Sequence, residues 1–108
     1  MSLFSFTAKK ASTDLSAEEF KSKMESDPNA VLLDVRTPGE VAEGKIGDAM
    51  NIDFFSPVFR DKVADLPKDK NYYVYCRSGN RSGQAVRFMT GEGLNAYNLD
   101  GGIMRWKY

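Results

Sequence analysis

At 108 residues, 42% hydrophobic and 28% charged, the chain has the size of one domain, residues 1–108; such a domain buries roughly two-thirds of its unfolded surface and needs no disulfide or metal to fold. Fifteen Lys and Arg balance fifteen Asp and Glu, which excludes a whole-molecule field favouring nucleic acid or membrane. One cysteine and no histidine exclude a disulfide framework, a CxxC pair, Ser-His and Cys-His nucleophile–base pairs and the commonest metal ligand, so no metal or cofactor is expected.

The chain opens with Met1-Ser2-Leu3-Phe4-Ser5-Phe6, which lacks the basic and long apolar regions of a secretory leader. No apolar run reaches the length of a membrane span. An unpaired thiol suits a reducing compartment, so the expected location is the cytoplasm. Lys9-Lys10 reads as a solvated surface pair. Ser16-Ala17-Glu18-Glu19 is a capping-box signature, and Ala17, Phe20 and Met24 share one face of the helix it starts. Asp27-Pro28-Asn29 ends that helix. Ala30 to Val35 is an almost continuous apolar run, the pattern of a strand covered on both faces.

Thr37-Pro38-Gly39-Glu40 caps a second, short helix, with proline at its first position and glutamate where a capping box wants it. Arg36 and Glu40 stand i, i+4 apart and are expected to pair structurally. Ala49-Met50-Asn51-Ile52 reads as a brief strand. Ser56-Pro57 is expected to start a helix, with Phe55, Phe59, Val63 and Leu66 near helical spacing and Pro67 as its stop. Tyr72 to Tyr75 is a strand whose tyrosines read as packing residues. Ala85, Val86, Phe88 and Met89 stripe a helix beginning at about Ser82 and ended by Gly91 or Gly93. Asn95 to Leu99 is the last strand, and Asp100-Gly101-Gly102 turns into a tail with Trp106 as a lid on the core. Strands alternating with helices imply an α/β fold, a mostly parallel sheet covered by helices on both faces. Ligands of such sheets sit beyond the carboxyl ends of the strands. Cys76 lies at one such end, and Asp34 and Arg36 lie at another.

Cys76 opens the run Cys76-Arg77-Ser78-Gly79-Asn80-Arg81-Ser82-Gly83. A free thiol has a pKa of roughly 8.5, and nearby cations or a helix N-terminus lower it. Small residues and a glycine let successive backbone N–H groups turn inward as an anion-binding nest. The following helix adds its positive end. Arg77 and Arg81 carry permanent charge on planar donor forks. By this reading Cys76 is the nucleophile, and Arg77, Ser78, Gly79, Asn80, Arg81 and Ser82 bind substrate or shape the loop. Arg81 has a second option, turning away to bond a carboxylate. Asn80 and Ser82 are expected to cap the helix. Asp34, bonding loop amides or capping the next turn, supports the site together with Arg36.

The Cys76–Ser82 segment resembles the active-site loop of the single-domain rhodanese family. Leu33 to Glu40 is similar to that family's strand–helix signature, Gly44-Lys45-Ile46 through Ile52 to its next segment, and Asp100-Gly101-Gly102-Ile103 with Trp106 to its closing motif. The four segments occur in the family's order from about residue 30 to the end. Lys45 stands where the family has histidine, and Asp48, preceded by Gly47, where it has glycine before the alanine. The resemblance implies five strands and sulfur transfer through a Cys76 persulfide, loaded from thiosulfate or a related small anionic donor. Cyanide or a thiol would be the acceptor, and a protein donor or acceptor is a further option, as for a sulfur-carrier module. The cysteine phosphatases and arsenate reductases instead place arginine after five intervening residues. Here that position is Ser82, and arginine falls one earlier, at Arg81.

Overall fold

In the computed structural model, which describes residues 13–108, five strands run parallel in one sheet, ordered β1-β5-β4-β2-β3. They are β1 (Asp14–Leu15), β2 (Ala30–Asp34), β3 (Met50–Asn51), β4 (Asn71–Tyr75) and β5 (Asn95–Leu99). The connections hold α1 (Ala17–Glu25), α2 (Pro38–Ala42), α3 (Phe59–Ala64) and α4 (Asn80–Gly91), and a 3-10 turn follows at Ile103–Arg105. The Met1–Phe6 and Lys9-Lys10 readings lie outside the described residues. β1 was not expected: two residues are too few to show a period, and they are held by pairing with β5.

Strand parity decides where the thiol goes. Successive side chains of a strand point to opposite faces. Tyr72, Val74 and Cys76 join one buried cluster with Phe59 and Val63 of α3 and Ala85, Val86 and Met89 of α4. Tyr73 and Tyr75 join the other, with Phe20 of α1 and Trp106 packed against it. Phe20 meets Tyr73 and Trp106 edge to face at 5.5 and 5.9 Å, so the tryptophan covers the core as expected. Each buried tyrosine finds a partner for its hydroxyl. Tyr72 donates to the Pro67 carbonyl at 2.6 Å and Tyr73 to Asp27 Oδ2 at 2.8 Å. The Tyr75 hydroxyl accepts from Ile46 N–H at 3.0 Å. That last bond ties the 44–49 turn to the central strand. The turn closes despite the Lys45 and Asp48 departures, with Gly47 taking the left-handed conformation at φ 49°.

Both expected capping boxes form, at Ser16/Glu19 and Thr37/Glu40. The helix expected from Ser56-Pro57 begins later, at Phe59. Asp53 competes for the chain there, its carboxylate accepting from Phe55 N–H and its carbonyl from Ser56 N–H. Local bonds of this kind hold the segment as a turn. As a result Phe55 leaves the helical stripe and stands 65% exposed, whereas Phe59 and Val63 are buried.

The expected Arg36–Glu40 pair does not form. Arg36 folds back on Asp34, with Nε donating to both carboxylate oxygens at 3.0 and 3.1 Å and Nη2 to Oδ2 at 2.7 Å. Its remaining donors reach the Gly44 carbonyl at 2.6 Å and the Glu40 carbonyl at 3.3 Å. Both residues are buried, where a bidentate pair with satisfied donors outcompetes a surface i, i+4 contact. The Arg36 guanidinium is held above its usual pKa, chiefly by the bonds to Asp34. Asp34 also accepts from Arg36 N–H at 2.9 Å, so the pair fixes how the chain leaves β2. Removing one partner of such a pair strands a buried charge. Arg36→Ala is expected to lower unfolding stability by about 3 kcal/mol or more, measured by urea titration.

Candidate active site

The loop after β4 wraps its own thiol. Cys76 is 1% exposed, and its Sγ accepts from Gly79 N–H at 3.1 Å, Ser82 N–H at 3.4 Å and the Ser82 hydroxyl at 3.3 Å. Burial works against ionisation, but these bonds and the Ser78 amide outweigh it and hold the thiol below its usual pKa. This is the nest read from the sequence, with one change. Helix α4 starts at Asn80 rather than about Ser82, because Gly79, at φ 102°, makes the turn into the helix. Ser82 therefore sits inside the first turn, and its hydroxyl bonds the sulfur instead of capping. Asn80 does not cap either; its Oδ1 accepts from Gln84 Nε2 at 3.2 Å on the exposed side.

Glycine is required twice for close backbone approach. A Cβ on Gly79 would lie 3.1 Å from Gly101 N and 3.3 Å from Leu99 O. Gly102, at φ 65° and ψ −167°, lies in a region open essentially to glycine alone, and its Cβ would overlap the Arg77 carbonyl. From there Ile103 N–H donates to Cys76 O at 2.9 Å and Met104 N–H to Arg77 O at 3.1 Å. With the Arg77 carbonyl held by the 3-10 turn, the Ser78 amide of the same peptide unit is left to face the sulfur. Asn98 adds a longer bond, Nδ2 to the Gly79 carbonyl at 3.4 Å.

The two loop arginines part company. Arg77 is exposed and makes no ion pair among the described residues. Arg81 takes its carboxylate option: Nη1 and Nη2 donate to Glu40 Oε1 and Oε2 at 2.7 and 2.9 Å. The Arg81 guanidinium also stacks over the Phe55 ring, 5.5 Å from its centroid. Glu40 is pulled down to about 2, mainly by the Arg81 bonds, with Thr37 assisting. Arg81 is raised, first by Glu40 and in smaller part by the charge on Cys76. Asp34 and Arg36 do not reach the sulfur. They stand behind the site as its foundation. Glu40 and Gly102 are the residues the sequence reading passed over. Glu40 was read as a capping-box member and as a partner for Arg36 rather than for Arg81, and Gly102 as part of a turn and closing motif rather than as the point of backbone contact.

Two outcomes follow from this geometry. Cys76 titrates below a free thiol, so iodoacetamide alkylation followed across pH should reach half-maximal rate below the ordinary thiol range. Ser82→Ala should move that midpoint to higher pH. Gly102→Ala should cost about 2 kcal/mol or more through strain and overlap, seen in thermal unfolding, and should slow alkylation at neutral pH in the protein that remains folded.

The model of the rhodanese-like domain matches residues 16–108. A sulfurtransferase of Allochromatium vinosum is 34% identical over 94 residues, covering 86% of each chain. A thiosulfate sulfurtransferase of Pseudomonas syringae is 35% identical over 82 residues, covering 75% of this chain and 76% of the relative. The crystal structure of a rhodanese-related protein from Thermoplasma volcanium superposes with a TM-score of 0.75 at 35% identity, covering 86% of this chain and 88% of the other. Together with the cradle of donors around a lone cysteine, these place the chain in the family of rhodanese-like sulfurtransferases.

Proposed function

We propose that Cys76 carries a sulfane sulfur as a persulfide, taken from thiosulfate or a related donor and passed to cyanide or a thiol. The observation that carries this reading is the convergence of two amides and the Ser82 hydroxyl on a buried Sγ in a chain without histidine. The chemistry needs no proton relay. The Cys76 thiolate attacks the outer sulfur of thiosulfate, a new S–S bond forms, and the electron pair of the old one leaves with sulfite. The product is a perthiolate anion, stabilised in the same cradle by the same donors and the helix end. An acceptor nucleophile then takes the terminal sulfur and returns the thiolate, giving ping-pong kinetics. In this reading Arg77, Ser78, Gly79, Asn80 and Arg81 form the rim at which donors bind, and no cofactor takes part. The working setting is the reducing cytoplasm, with no role for nucleic acid or membrane.

The tight loop argues against phosphoryl chemistry. Its donors lie 3.1 to 3.4 Å from the sulfur itself, and the Arg81 fork is engaged by Glu40. A second reading, a sulfur carrier loaded by a protein partner, draws support from Phe55 and Met104, each 65% exposed. Phe55 lies under Arg81, and Met104 lines a shallow cleft with Ser78 and Gly101. Incubation with thiosulfate followed by intact mass spectrometry should show the gain of one sulfur atom, lost on cyanide treatment and absent in Cys76→Ser. A gain that survives Cys76→Ser would overturn the assignment. Loading only by a persulfidated protein would favour the carrier reading.

A further inference from the structure

The loop's second arginine would meet an oxyanion with one donor fork already taken by a carboxylate. Both terminal nitrogens of Arg81 are engaged by Glu40, and one face of its guanidinium lies on Phe55. The pair is partly shielded, with side chains 18% and 26% exposed, so it is screened less than a surface pair. Glu40 is itself held by the α2 cap, where Oε1 accepts from Thr37 N–H at 3.0 Å and from the Thr37 hydroxyl at 3.1 Å. The carboxylate therefore comes preplaced on a separate element. The pair sums to zero charge beside a thiolate that is negative when reactive. Arg77, exposed and outside any ion pair among the described residues, is the loop's remaining cation.

Resting on the persulfide reading above, we infer that Glu40 is a specificity-determining residue that selects against oxyanion donors and in favour of persulfides. A dianion such as thiosulfate brings sulfonate-like oxygens that need a cationic fork, and it approaches a carboxylate already holding that fork. An alkyl persulfide has no such oxygens. Its terminal sulfur transfers to Cys76 as the S–S bond to the donor breaks and the electron pair leaves as the donor thiolate. Discrimination thus comes from a competing like charge as well as from attraction. Glu40 touches neither the sulfur nor the donor; it acts through Arg81.

The test compares loading of Cys76 by thiosulfate and by 2-hydroxyethyl persulfide, followed by mass spectrometry under single-turnover conditions. Glu40→Gln keeps the side chain's shape and its capacity to complete the capping box while removing the charge. It should raise the second-order loading constant for thiosulfate roughly fivefold, chiefly through a lower apparent saturation constant, and change that for the persulfide less than about twofold. Arg81→Gln leaves the Glu40 charge unbalanced and should lower thiosulfate loading relative to persulfide loading. Opposite signs in the two variants are the signature, since a merely structural pair would lower both donors in both variants. A Glu40→Gln protein that loads thiosulfate no better than the parent, or an Arg81→Gln protein with unaltered donor preference, overturns the inference and leaves the persulfide site standing. Loading of the parent protein by neither donor overturns the site reading and this inference with it.

Discussion

The site depends on one backbone contact, between the Cys76 loop and the 3-10 turn that follows β5. Ile103 and Met104 donate to the carbonyls of Cys76 and Arg77, and Gly102 removes the side chain that would prevent the two backbones from meeting. A peptide unit whose carbonyl is held on one side presents the next amide on the other. The Ser78 amide, in the peptide unit of the held Arg77 carbonyl, is thus turned to the sulfur by packing some twenty-five residues further along the chain, while the Gly79 and Ser82 amides follow from the Gly79 turn into α4. Strand parity supplies the other half of the geometry. Cys76 continues the Tyr72–Val74 alternation, which aims its sulfur at the first turn of α4.

Much of the charge around this sulfur is paired, with Arg77 as the exception among the described residues. Asp34 and Arg36 neutralise one another beneath the sheet's carboxyl edge, and Glu40 neutralises Arg81 at the mouth. What lowers the thiol is therefore mainly oriented dipoles, two or three amides and a hydroxyl, rather than an adjacent cation. Such a field is short-ranged. It favours one compact anion at the sulfur and does little to gather anions from solution, for which a net positive mouth would be needed.

The comparison of sequence and structure turns on how local each signal is. The capping boxes at Ser16 and Thr37, the apolar β2 and β4 runs and the α4 stripe depend on neighbours within about four residues, and all form as read. β1 has no such signal, since it exists by pairing with β5. Phe55 fits a helical spacing, but the Asp53 turn takes the chain out of register before the helix can start.

The sequence by itself determined the fold class and the place of a lone thiol in a glycine-bearing loop at a strand end, because a single cysteine and the absence of histidine leave few ways to activate a thiol other than backbone donors. Tertiary structure alone decided the partners of the charged groups. Arg36 took Asp34 rather than Glu40, which left Glu40 for Arg81, forty-one residues away. Ion pairing among several acceptors is settled by burial and by which donors can be satisfied together. Those quantities do not exist until the sheet has brought β2, α2 and the Cys76 loop to one edge.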